Sequence, residues 1–174
     1  LINNTQGPPA GNSLSKNIDS YQEAFDLLFK SVVHTTSLVI PKMQKNKWGR
    51  IINVTSVSVK EPLNYLVLSN SIRSAVVAWA KSLSVDLGPD GITVNSILTG
   101  YFDTERIKEL NKEKSKSLKI TETEVLDKMK SLVPASRLGR PEEYGYLVSF
   151  LSSDNASYIN GASIPIDGGL LKSY

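Results

Sequence analysis

Ser56, Tyr65, Ser69, Arg73, Tyr101 and Thr104 are among the many residues here whose types could serve chemistry on a small molecule. A hydroxyl can orient and polarise an oxygen, a phenol can hand over a proton, and a guanidinium can grip a ribose or a carboxylate. Ser56 closes the run Ile51-Ile52-Asn53-Val54-Thr55, where a serine could equally satisfy a strand or helix terminus. Tyr65 precedes Ser69 by about one helical turn, and Arg73 follows it by about one more. Other chemistries fall away. The sequence has no Cys, which removes disulfides, thiolate nucleophiles and Cys-zinc sites, and its single histidine, His34, cannot build a His-rich metal site. No metal site is expected.

The elements that must position these residues alternate between strand and helix. Leu1-Ile2-Asn3 reads as a strand entered midway, and a Gly/Pro/Asn-rich loop runs from Gln6 to Asn17. Asp19, with Gln22 as capping-box partner, is expected to start a helix reaching about Gln44. Its apolar positions Ala24, Leu28, Val32, Thr36, Val39 and Met43 are widened by Phe25, Phe29, Val33 and Ile40. Two covered sides are expected, one against a sheet and one against a second subunit. The run Ile51 to Thr55 suits a buried parallel strand. A helix from about Leu66 to Leu87 follows, then the stop Gly88-Pro89-Asp90-Gly91 and a strand from Ile92 to Ile97. Charged helices are expected from Thr104 to about Ser117 and from Glu122 to about Val133, the second with the capping box Thr121/Glu124. Pro141 opens another helix reaching Leu151, and a last strand spans Ala162 to Ile166. Strands alternating with helices pair in parallel through right-handed crossovers, so the fold class is α/β.

At 174 residues the chain is one domain or part of one. Twenty Lys and Arg face 17 Asp and Glu. From Tyr101 to Lys130 eight basic residues are interleaved with seven acidic ones, a solvated mixed surface that disfavours nucleic acid. No apolar run is long enough to span a membrane and no signal peptide opens the sequence, so the cytoplasm is the expected location.

Five segments in order resemble the short-chain dehydrogenase/reductases, especially the 3-oxoacyl-[acyl-carrier-protein] reductases. They are Asn3-Asn4-Thr5-Gln6-Gly7; Gly49 to Ser56; Gly91 to Gly100; Arg137-Leu-Gly-Arg-Pro-Glu-Glu143; and Gly161 to Gly169. The resemblance implies a three-layer Rossmann-type parallel sheet flanked by helices, with NAD or NADP across its carboxyl edge. Residues 1–174 would be its C-terminal portion, with 104–133 as variable substrate-lid helices. The family's glycine-rich phosphate turn has no counterpart here, and prolines in Gly7-Pro-Pro-Ala-Gly11 remove donors a phosphate needs. The expectation is that an N-terminal nucleotide-binding segment is missing from this chain, which leaves the strand at Leu1 to Asn3 as an open edge.

The family's catalytic positions carry over unevenly. Ser56 matches its serine. Ser69 stands where the family has tyrosine, Arg73 where it has lysine, and Leu28 where it has asparagine. Arg73 could bond a ribose or a carboxylate. Tyr65 becomes the first choice for a relocated acid, with Lys60 supplying positive charge, and Tyr101 is a similar candidate. On the cofactor side the resemblance implies Asn4, which would tie the central strands together, Thr99 in place of the family's proline, Gly100, and Thr104, which could also cap the next helix. His34 is expected to be a packing or surface residue. The resulting expectation is an oxidoreductase acting on a small-molecule carbonyl or secondary alcohol through a non-standard acid, in a homodimer or homotetramer. The alternative is a non-catalytic member serving as a binding or structural subunit, or a chain completed by a separate N-terminal half.

Overall fold

Ile51 and Val94 pair across two strands and point into one layer of helices, while Ile52 and Ile97 point into the opposite layer. Burial on both faces is why these runs are apolar without alternation. The computed structural model describes residues 1–173. Its sheet has four parallel strands in the order β1 (Ile2–Asn3), β2 (Gly49–Val54), β3 (Ile92–Thr99) and β4 (Ser163–Ile166). The first layer holds α1 (Ile18–Phe25), a π turn (Asp26–Lys30), α2 (Ser31–Asn46) and α3 (Val67–Leu87). Its core joins Ile51, Ala80, Leu87, Ile92 and Val94, with Met43 and Trp79 against them. The second layer is α6 (Pro141–Ser152), whose fully buried Leu151 packs with Ile52, Ile97 and Ala156. Burying such a leucine contributes about 2 kcal/mol. Helices α4 (Glu105–Leu118) and α5 (Glu122–Leu132) pack on each other, and α4 lines the cleft at the carboxyl ends of the strands. The architecture is the α/β, three-layer parallel sheet expected from the alternation of elements.

The first helix differs from expectation at both ends and in its middle. Its cap is Asn17, not Asp19: the Asn17 Oδ1 accepts the Ser20 N–H at 3.0 Å. Asp19 instead occupies the first turn, where a carboxylate favours the positive helix end. Gln22 therefore takes part in no capping box. The helix continues to Asn46, and the π turn inserts an extra residue between α1 and α2. Leu28 lies in that turn, 1% exposed. The Thr121/Glu124 capping box forms as expected, and Pro141 takes the first turn of α6. Strand β1 pairs with β2 alone and stands at one edge of the sheet, with β4 at the other. His34 is exposed on α2.

A polar tie crosses the first layer. The Asn3 Nδ2 donates to Thr36 Oγ1 at 3.0 Å and to Asn53 Oδ1 at 2.9 Å, and Asn3 Oδ1 accepts from Thr35 Oγ1 at 3.0 Å. Asn3 and Asn53 face each other in register on β1 and β2. The strand-tying asparagine is thus Asn3, and the role expected of Asn4 is corrected: Asn4 is exposed and opens toward the strand ends. Neighbouring side chains on a strand point to opposite sides, so only one of two adjacent asparagines can reach α2.

Candidate functional site

Parallel strands end together, and the loops that leave β1, β2 and β3 diverge into a cleft of about 560 Å³ roofed by α4. Ser56, Tyr65, Ser69 and Arg73 line it together with Asn4, Thr99, Gly100 and Thr104. These eight positions, and Tyr101 with them, therefore converge on one cavity. Leu28 and Lys60 do not line it, and Lys60 is exposed outside.

The Ser56 backbone is extended, and its Oγ accepts the Ser58 N–H at 3.1 Å as the cap of a short 3-10 turn. Capping uses an acceptor lone pair and leaves the hydroxyl proton free to donate. The strand end beneath it is fixed by Thr55, whose N–H and Oγ1 both donate to the Ile97 carbonyl at 2.9 Å. Ser69 and Arg73, one turn apart on α3, are 7% and 8% exposed. Arg73 Nη1 donates to the Val54 carbonyl at 2.7 Å and Nη2 to the Thr5 carbonyl at 3.3 Å, bridging the chain just past β1 to the end of β2. Burial lowers its guanidinium to about 10, against a small opposing effect from Tyr144, so it keeps its charge at neutral pH.

The two phenols sit side by side. Burial pushes Tyr65 well above the ordinary tyrosine range, and the adjacent Tyr101 adds to the shift. Burial raises Tyr101 as well, with the Tyr65 hydroxyl opposing. Both stay protonated at neutral pH. The cation beside Tyr65 is Lys114, whose Nζ lies 5.1 Å from the ring centroid, so the partner expected in Lys60 is replaced by a residue of α4.

The Thr99 hydroxyl is hydrogen-bonded to Tyr144 Oη at 3.1 Å, which turns it toward α6. A Cβ at Gly100 would stand 2.6 Å from the Asp167 Cα, so only glycine lets the turn after β3 close against β4. Thr104 occupies the cap position of α4 without a capping bond; its Oγ1 reaches only the Phe102 carbonyl, at 3.5 Å. Arg106 Nη2 donates to the Pro8 carbonyl at 3.1 Å and links α4 to the loop after β1. Arg106, Asn111 and Lys114 escaped the sequence reading because the charges of α4 outnumber the few residues of its inward face. The signal available was the spacing Ile107, Leu110, Asn111 and Lys114, one inward face of a helix.

This donor set fits the nicotinamide-ribose end of a dinucleotide, with Asn4, Ser56 and Thr104 offering neutral polar groups and Arg73 a cation. Among the described residues no turn clusters backbone N–H groups for a pyrophosphate, and Pro8 and Pro9 have none to offer.

The family model for enoyl-(acyl carrier protein) reductase matches residues 1–171. The chain is 31% identical over 173 residues to the NADPH-dependent reductase BacG of Bacillus subtilis (strain 168), covering 99% of this chain and 67% of that protein. It is 34% identical over 128 residues to the 3-oxoacyl-[acyl-carrier-protein] reductase MabA of Mycobacterium tuberculosis (strain ATCC 25618 / H37Rv), covering 74% and 47%. The crystal structure of YwfH, an NADPH-dependent reductase involved in bacilysin biosynthesis, superposes with a TM-score of 0.94 at 30% identity, covering all of this chain and 67% of that one. The chain spans about half to two thirds of the length of such curated relatives. Ordered motifs, parallel sheet, strand-end cleft and family match agree: this chain belongs to the short-chain dehydrogenase/reductase superfamily.

Proposed function

We propose that this chain belongs to an NAD(P)-dependent oxidoreductase that interconverts a small-molecule carbonyl and its alcohol. The observation that carries the reading is the convergence of Ser56, Tyr65, Ser69 and Arg73 on one cleft with Asn4, Gly100 and Thr104. Its relatives BacG and YwfH are described as NADPH-dependent reductases, which supports the cofactor class. When bound, the dinucleotide supplies the hydride.

The chain's own residues do the rest. The Ser56 hydroxyl proton orients the substrate oxygen. Tyr65 and Tyr101, both held neutral, supply a phenolic proton, and Tyr65 remains the first choice for the acid. Asn4, the Gly100 backbone and Thr104 border the nicotinamide end. Thr99 contributes backbone, because its hydroxyl is engaged by Tyr144. Among the described residues no cation is bonded to either phenol, which leaves them weak acids, so a slow chemical step is expected. The protein is taken to work in the cytoplasm as a homo-oligomer, with 104–133 as the substrate lid. Leu38 on α2 and Val85 on α3, 67% and 69% exposed, supply uncovered apolar surface for such an assembly.

The test is NADPH or NADH consumption with a panel of carbonyl compounds. Ser56→Ala is expected to lower kcat/KM by about 100-fold, and Tyr65→Phe by a similar factor. The competing reading, a non-catalytic subunit, draws on Arg73 being bonded to backbone carbonyls where the family has lysine. It predicts no turnover in the wild type and no effect of either variant.

A further inference from the structure

Among the described residues Arg73 is a buried cation without a counter-ion. None of the ion pairs among the described residues includes it, whereas the other buried arginine, Arg50, has the Asp154 carboxylate at 3.6 Å. Its two bonded partners, the Val54 and Thr5 carbonyls, are neutral. A guanidinium carries five N–H donors, so most of its capacity is uncommitted. The cleft around it shares the imbalance: Arg73, Arg106 and Lys114 line it against one carboxylate, Glu109, which already sits 3.5 Å from Arg106. Ser69 offers a hydroxyl from the same face of α3, one turn away. A charge removed from water is unfavourable until an opposite charge meets it, and the planar fork of arginine matches a carboxylate in particular.

We infer that the substrate carries a carboxylate and that Arg73, helped by Ser69, receives it, which makes the natural substrate an oxo acid or the corresponding hydroxy acid. Ser56 then holds the reacting oxygen while Arg73 holds the acid group, and Lys114 on the lid adds a second positive charge near the entrance. The carbonyl chemistry rests on the oxidoreductase reading; the preference for an anion does not.

Calorimetric titration of the purified protein, with and without NADPH, against pyruvate and acetoacetate and against their methyl esters tests this. One acid is expected to bind at least about tenfold tighter than its ester. Arg73→Gln should erase that ratio, while Arg73→Lys should lower acid affinity about tenfold and leave the ester unchanged. If Arg73→Gln does not fold, Arg73→Lys and Ser69→Ala carry the comparison.

Equal binding of acid and ester by the wild type overturns the inference, as does failure of all four probes to bind. An Arg73→Gln protein that melts earlier yet keeps the ratio shows a structural bridge only. One that loses NADPH affinity with the ratio intact assigns Arg73 to the cofactor. Acid-selective binding without any NADPH turnover removes the oxidoreductase reading and keeps the anion site. Turnover of esters as fast as acids does the reverse.

Discussion

Replacing each of the adjacent asparagines in turn separates their roles. Asn3→Ala removes both Nδ2 donations, to Thr36 Oγ1 and Asn53 Oδ1. Thr36 is fully buried and Asn53 is 1% exposed, so water cannot easily replace what is lost. Each stripped buried oxygen costs about 1–3 kcal/mol. Thr36 can turn its hydroxyl to a carbonyl of its own helix, which recovers part of that. The expected loss is therefore about 2–4 kcal/mol. With a urea dependence of about 2 kcal/mol per molar, the unfolding midpoint should fall by about 1–2 M. Asn4→Ala, at an exposed position, should stay within about 0.5 kcal/mol of the wild type. Urea titrations of the two variants, followed by circular dichroism, give the comparison directly. Midpoints that agree within about 0.3 M would refute the assignment of the strand tie to Asn3.

Three other outcomes follow from single contacts. Glu143 is held down to about 2, first by the Arg137 guanidinium and then by the Arg140 N–H, so its stabilising effect is present above the ordinary carboxylate range and fades as pH falls toward that value. Glu143→Gln should accordingly narrow the gap between urea midpoints at about pH 6 and about pH 3; an unchanged gap rejects the linkage. Asn17→Ala should lower stability by about 1 kcal/mol while Asp19→Ala costs less, and the reverse order in thermal melts would restore Asp19 as the cap. Gly100→Ala should destabilise by about 2 kcal/mol, because the added methyl meets backbone beside Asp167 that cannot retreat; a melting temperature equal to wild type would show that the turn has slack.

Legibility in the sequence followed how many constraints each residue meets at once. Strands β2 and β3 were readable because both faces are buried, and Pro141 and Thr121/Glu124 because capping chemistry is local. The Asn17 cap was missed because Asp19 satisfies the same preference, and only the helix start at Ile18 decides between them. Asn3 and Asn4 differ by strand parity alone, which two residues cannot establish. The cleft was legible through motif order, which brought Ser56, Ser69 and Arg73 into register. What the order could not supply was partnership: that Lys114 rather than Lys60 stands by Tyr65, that Thr99 turns to Tyr144, and that Arg106 reaches Pro8.

The π turn has a consequence for chain length. Ala24, Leu28, Val32 and Thr36 are buried at steps of four, and in an uninterrupted α-helix each such step overshoots a full turn by about 40°. The extra residue between Asp26 and Lys30 absorbs that drift and keeps all four aimed at the rest of the fold. Deleting one residue there would make the helix regular, and Ala24 and Thr36, then one residue closer in sequence, would still lie within about 20° of one face. The segment is therefore the place in this helix where a residue can be lost without changing which side chains face the core, and a one-residue deletion should be tolerated better there than within α3.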